Sequence, residues 1–241
     1  ILSFAIAAVC CALAGLCYAE FASMIPVAGS AYTYSYFTMG ELVAWVIGWD
    51  LVLEYALAAM TVIISWSRYF CIILNDIGVS LPTAWSACPA DGGIFNVPAT
   101  LLIVVLSLIL MCGTKGSSKF NDFLVILKIA VVLLFIFIGF KYVKSENLTP
   151  FIPQNTGVFG EYGWSGVLRG AAIVFFAFLG FDAISTAAQE TKNPRRNMPI
   201  GILGSLLICT LLYMVFALVM TGVVDYHAYK GTDSIAPAAT A

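Results

Sequence analysis

Residues 175–199 read FFAFLGFDAISTAAQETKNPRRNMP. An apolar run here carries Gly180 and Asp182 in its middle and ends in a basic loop punctuated by proline. A soluble core helix has little use for a Gly-Phe-Asp interruption, and a lipid-facing helix excludes a carboxylate. Composition fixes the environment. Hydrophobic residues make up 61% of the chain and charged residues 10%, against about 25% charged in ordinary soluble domains. The mean hydropathy is +0.99, so the chain reads as an integral membrane protein. A net charge of −2 and the lack of any long basic block argue against a nucleic-acid partner. The chain opens on Ile1, inside an apolar run and without an initiator methionine, and reads as a fragment with no recognisable signal peptide.

A spanning helix needs about 20 mainly apolar residues. Six stretches qualify, near 1–19, 42–67, 97–113, 122–140, 166–188 and 201–223, the third of them short before Gly113. Alternating runs of about ten residues, the mark of a barrel, are absent, so the expected class is an all-α integral membrane fold. The whole of 1–241 reads as a single transmembrane domain. Between the spans, residues 20–41 hold Pro26, Gly29 and several hydroxyls and suit an interfacial re-entry. Residues 75–96 and 141–165 read as polar loops, and GTKGSSKFND (113–122) as a short turn.

Lysine and arginine placement sets the orientation. Lys115 and Lys119 share a side with Lys192, Arg195 and Arg196, while Lys141, Lys144 and Lys230 fall opposite. Counting these alone, five against three, places loop 192–196 in the cytoplasm; Arg68 and Arg169, near span ends on the other side, would erase the margin if counted.

Of seven cysteines, Cys10, Cys11, Cys17, Cys112 and Cys209 lie in apolar runs and read as small hydrophobes. Cys71 and Cys88 flank a loop and would pair if it faced an oxidising compartment. His227 is the only histidine, and no CxxC or HExxH pattern occurs, so neither a metal site nor a cofactor is expected.

Ionisable residues inside spans are costly and usually face a cavity or a partner. Glu54 lies about 18 Å into the second span, near the midplane, and either lines a pathway or pairs with a neighbouring helix. Asp50, one turn earlier, shares its face nearer the membrane edge. Lys128, in FLVILKIAVVLLF, either snorkels or stays buried, where desolvation and a nearby carboxylate would compete over its proton. Gly180 weakens its helix by about 1 kcal/mol relative to Ala. A break near Phe176–Gly180 would expose backbone groups at membrane depth, as transporters do around a substrate. Alternatively the helix is kinked and Asp182 caps its second half.

Three stretches, GLCYAEFASMIPVAGSAYTYSY, GWDLVLEYALAAMTVIISWSRYF and GAAIVFFAFLGFDAISTAAQETKNPRRNMPIGI, carry a resemblance to a known family. The chain resembles the cationic amino acid transporter branch of the amino acid–polyamine–organocation superfamily, bacterial members above all, over nearly its whole length. That resemblance implies the LeuT-like five-plus-five inverted-repeat fold. The six spans would be helices two to seven, with the first helix and those from eight onward absent. It further implies that carbonyls of Phe176, Ala177 and Leu179 receive the substrate ammonium, and that the Phe176 ring gates the site. Asp182 and Glu54 would border the side-chain pocket. Lys128 would sit where sodium-coupled relatives of the fold bind sodium, making transport sodium-independent and proton-linked.

The expected function is therefore a secondary transporter in the plasma (inner) membrane, moving arginine, lysine, ornithine or alanine-class amino acids with protons by alternating access. A channel lacks a repeated carbonyl filter, and a membrane enzyme lacks a nucleophile, histidine or metal pair beside the carboxylates. An amino-acid-binding sensor remains as the alternative, and a small membrane subunit is left open as a partner. The cluster GSAYTYSY reads as cytoplasmic-end packing and gating, and TKNPRR as a cytoplasmic anchor.

Overall fold

The computed structural model describes residues 1–111 and 114–229; Cys112, Gly113 and Lys230, which entered the reading of the sequence, lie outside them. The helices are α1 (Leu2–Met24), α2 (Ser30–Met39), α3 (Glu41–Asp76), α4 (Thr83–Ser86), α5 (Val97–Met111), α6 (Thr114–Gly139), α7 (Gly163–Val174) and α8 (Pro194–Val223). No strand occurs among the described residues. Among the described residues, five stretches are long and apolar enough to cross a membrane: Leu2–Met24, Glu41–Asp76, Ser118–Tyr142, Gly163–Gln189 and Pro194–Val223. The chain is a multi-pass membrane protein. The remaining expected span, α5, has 15 residues, about 22 Å against a hydrocarbon core of about 30 Å.

Two boundaries differ from the sequence reading. The stretch 113–122, expected as a turn, is helical from Thr114. Polar residues such as Lys119 and Asn121 end an apolar run but do not stop a helix, and no proline stands among them. Helix α3 likewise runs on past residue 67 to Asp76, 36 residues in all, or about 54 Å. It stops at Gly78, whose φ is +91°. There the Val79 amide donates to Leu74 O (2.9 Å) and the Gly78 amide to Asn75 O (3.0 Å). Those two bonds are the Schellman pattern that a left-handed residue makes available. Residues 20–41 resolve into the end of α1 and the 10-residue helix α2, about 15 Å long and too short to span.

The chain divides into two compact units, Ile1–Leu51 with Val132 onward, and Val52–Val131. In the first, α1 packs along α8. The buried positions of α1 are Ala7, Cys11, Gly15, Ala19 and Ala22, a stripe of small residues three and four apart that lets two helix backbones approach closely. A Cβ on Gly15 would lie 2.6 Å from Leu206 Cδ1. Ile202 and Leu206 of α8 complete this core with Met198, Phe178 and Tyr34. Cys11 is buried in it as the small hydrophobe expected, whereas Cys10 and Cys17 are exposed. Near the other end of α8, the Phe135 and Phe216 rings meet at 4.7 Å. The 143–148 loop is stitched to the helix terminus there, with Lys144 N donating to Gly222 O (2.9 Å) and Asn147 Nδ2 to the same oxygen (3.0 Å).

In the second unit the loop after α3 is held at its ends. Arg68 pairs with Asp91 at 2.7 Å, exposed to solvent on both sides and so worth no more than about 1 kcal/mol. Asn96 donates to Ser67 Oγ (2.8 Å) and accepts from the Ala99 amide (3.0 Å), which caps the start of α5. Cys71 and Cys88 are both free thiols, so the conditional disulfide is not formed. The loop is closed by the Arg68–Asp91 and Ser67–Asn96 contacts instead.

Without a hydrophobic force between helices in lipid, the α1–α8 seam rests on close packing, so a cavity there should be felt directly. Ile202→Ala, at a site with 0% exposure, is expected to cost about 2 kcal/mol or more. Leu211→Ala, 55% exposed on the same helix, is expected to cost less than about 0.5 kcal/mol. Thermal unfolding of the detergent-solubilised full-length protein checks the contrast.

Candidate functional site

The 27-residue apolar stretch Gly163–Gln189 is not one helix. Helix α7 ends at Val174, and Phe175–Phe178 wind into a 3₁₀ turn. Leu179 leaves helical geometry with ψ 137°, and Gly180 takes φ +97°, a conformation only glycine adopts without strain. The chain then resumes as a 3₁₀ segment, Asp182–Gln189. This is the break expected around Phe176–Gly180.

A broken helix leaves carbonyls to be accounted for one at a time. Phe176 O accepts the Leu179 amide at 3.2 Å, Phe178 O the Phe181 amide at 3.4 Å and Gly180 O the Ala183 amide at 3.1 Å. Ala177 O accepts the Tyr213 hydroxyl of α8 at 2.9 Å. The Leu179 carbonyl accepts no bond among the described residues. Of the three oxygens named from the sequence, two are therefore already engaged and Leu179 offers the open one. The Phe176 side chain is 43% exposed, while Phe178, two residues on, is buried against Tyr213.

Asp182 begins the second half of the stretch, but it does not cap it. The N-cap position belongs to Phe181, and no side-chain cap bond forms. The carboxylate is instead 5% exposed, with its Oδ2 accepting the Ser30 hydroxyl of α2 at 3.3 Å. Its main-chain oxygen accepts the Ser185 hydroxyl at 2.6 Å. Ser30 holds a left-handed backbone (φ +49°) directly after Gly29 (φ +145°), which turns the chain sharply into α2. Tyr34, one turn along α2, stacks on Phe21 at 5.1 Å, and burial pushes its hydroxyl pKa up, against a smaller opposing effect of Ser185.

Glu54 and Lys128 belong to the second unit. Glu54 is partly buried on α3, about 7 Å along the axis from the helix centre. Lys128 is exposed on α6, among exposed apolar side chains such as Val125 and Ile129. Phe176, Ala177, Leu179 and Asp182 thus fall together in one unit, and the two remaining site residues lie in the other. Sequence reasoning passed over Tyr213, and it singled out Ser30 only as part of the cluster GSAYTYSY. Tyr213 had a legible signal, since a lone phenol in the apolar run LLYMVF must find an acceptor.

A family model described as amino acid permease matches residues 1–240. The chain belongs to the amino acid permease family. The chain is 47% identical to the methylthioribose transporter of Bacillus subtilis over 98% of its length and 50% of that protein. It is 48% identical to the branched-chain amino acid permease BcaP of the same organism, over 96% of this chain and 49% of that one. Human cationic amino acid transporter 4 is 35% identical, over 99% of this chain and 37% of its own length. The permease chain thus spans about half the length of the bacterial relatives it matches. These relatives are named as carriers, and the permease family is not one of enzymes.

Two glycines separate break chemistry from ordinary helix chemistry in this permease. Gly180→Ala meets no neighbour within 4 Å but must hold φ +97°, so it is expected to destabilise by about 1–2 kcal/mol. Gly201→Ala, equally unobstructed but inside α8, is expected to stabilise by about 0.5–1 kcal/mol. Unfolding midpoints of the two variants should shift in opposite directions.

Proposed function

We propose that this chain is the central part, helices two to seven, of one transmembrane domain of a secondary amino acid permease that works by alternating access in the plasma membrane. The observation that carries the reading is the break at 175–181, where the Leu179 carbonyl faces no partner in an otherwise apolar stretch. An α-ammonium group supplies the donors such a carbonyl lacks. On this reading Leu179 O, with the Phe176 and Ala177 carbonyls beside it, receives the ammonium, and the half-exposed Phe176 ring closes over it. Asp182 and Glu54 supply negative charge toward the substrate side chain, directly or through water. Lys128 carries the coupling proton in place of sodium, and the exposed Lys192, Arg195 and Arg196 hold the loop before α8 in the cytoplasm.

Arginine, lysine, ornithine and small neutral amino acids such as alanine are the substrates this arrangement favours. The relatives named for branched-chain amino acids and for methylthioribose widen the panel to be tested. The deciding measurement is radiolabelled uptake by the full-length protein in proteoliposomes, with and without an inward proton gradient. Gradient-driven accumulation is expected in wild type and is expected to fall at least tenfold, by the order of magnitude of a lost proton carrier (about 10²–10⁴ in rate), in Lys128→Ala. Glu54→Gln is expected to lower the arginine-to-alanine ratio. Saturable binding without accumulation under any gradient would replace the carrier with an amino-acid sensor.

A further inference from the structure

The stretch GSAYTYSY folds into α2, and its hydroxyls turn inward. Ser30 is 1% exposed, Tyr34 4%, and Thr33 and Ser35 8% each. They meet the segment that follows the break, where Asp182 and Ser185 are buried in turn. This interface differs in kind from the α1–α8 seam. The seam is apolar, made of Ala, Cys, Gly, Ile and Leu, whereas the α2 face is joined by the hydroxyl-to-carboxylate bond from Ser30 to Asp182.

Two details point to an interface made to part. The bond from Ser30 to Asp182 is 3.3 Å long, at the long end for an O–H donor to a carboxylate. The Tyr34 hydroxyl is fully buried and has no hydrogen-bond partner among the described residues, although it faces Ser185. A buried hydroxyl without a partner works against the closed state, because water satisfies it once the interface opens. The partner segment is itself unusual, since Asp182–Gln189 is eight residues of 3₁₀ winding where runs beyond about four are uncommon. The closed state therefore includes a long charged hydrogen bond from Ser30, whose hydroxyl also lies 3.5 Å from the Asp182 main-chain oxygen, and a buried phenol that works against it.

We propose that Ser30 and Asp182 form a releasable clasp between α2 and the second half of the broken stretch, with Tyr34 setting how readily it opens. This deepens the permease reading and rests on it. It assigns Asp182 first to gating, with its carboxylate held toward α2 while the clasp is closed, and makes Ser30 a positioning residue for that carboxylate.

The test measures amide hydrogen exchange over residues 30–39 in the full-length protein, beside initial uptake rates for arginine and alanine. Ser30→Ala and Asp182→Ala are each expected to raise exchange in α2 about tenfold, the scale of one charge-assisted hydrogen bond. The double variant should exchange no faster than Asp182→Ala alone, because that variant already removes the bond from Ser30. Tyr34→Phe should move the other way and exchange more slowly than wild type. Additive exchange in the double variant, or Tyr34→Phe loosening α2, would overturn the clasp. So would an arginine-to-alanine uptake ratio that shifts in Asp182→Ala with α2 exchange unchanged, since Asp182 would then act in the pocket alone. Exchange decides the clasp even in a protein that accumulates nothing, so failure of the transport reading is seen separately in the uptake arm.

Discussion

An apolar helix that stops inside a span leaves amides and carbonyls without partners, in surroundings where each orphan costs several kcal/mol. The organisation of the first unit follows from how residues 175–181 meet that constraint. Tight 3₁₀ winding engages the carbonyls of Phe176, Phe178 and Gly180. The Ala177 carbonyl is met from outside by a phenol on α8. Among the described residues the Leu179 oxygen is left over, beside Gly180, whose backbone allows the chain to change direction. A break of this kind requires a neighbour close enough to lend a donor. That is why the α1–α8 core, with its small-residue stripe, sits directly behind it.

The same unit contains a second solution to packing without water. Along α1 the helices are brought together by what is absent, side chains small enough to leave the backbones near one another. At α2 they are held by buried hydroxyls and one carboxylate. Close packing of the first kind is hard to undo, since it loses many small contacts at once. Polar contact of the second kind exchanges readily with water. One chain therefore carries a fixed seam and a separable one within a few residues of the break.

Much of this was legible in the residues. The length and apolarity of the runs marked the spans, and Gly180 beside Asp182 located the break to within a few residues, although Gly48 and Asp50 repeat the spacing in α3, which stays helical throughout. The cluster GSAYTYSY was readable as packing, and four of its residues are buried. What could not be read was where each polar group would find its partner. Asp182 looked equally suited to a pocket and to a helix cap, and its actual contact with Ser30 lies 152 residues away in sequence. Helix ends were misplaced where polar residues continued a helix outside the apolar run, as at Thr114, because hydropathy marks the lipid and not the hydrogen-bond ladder. The extension of α3 was legible in principle, since the glycine that ends it, Gly78, is the first after Gly48.

The 3₁₀ winding of Asp182–Gln189 also has a metrical side. A 3₁₀ helix rises about 2.0 Å per residue and an α-helix about 1.5 Å. Over the eight residues of this segment, rewinding from one to the other changes its length by about 4 Å. It also rotates successive side chains relative to one another, from about 120° to about 100° per residue. The segment is thus a screw of adjustable pitch, joined to α8 by the loop at 190–193, and a change of winding would alter its reach at the end that carries Asp182 once the bond from Ser30 parts.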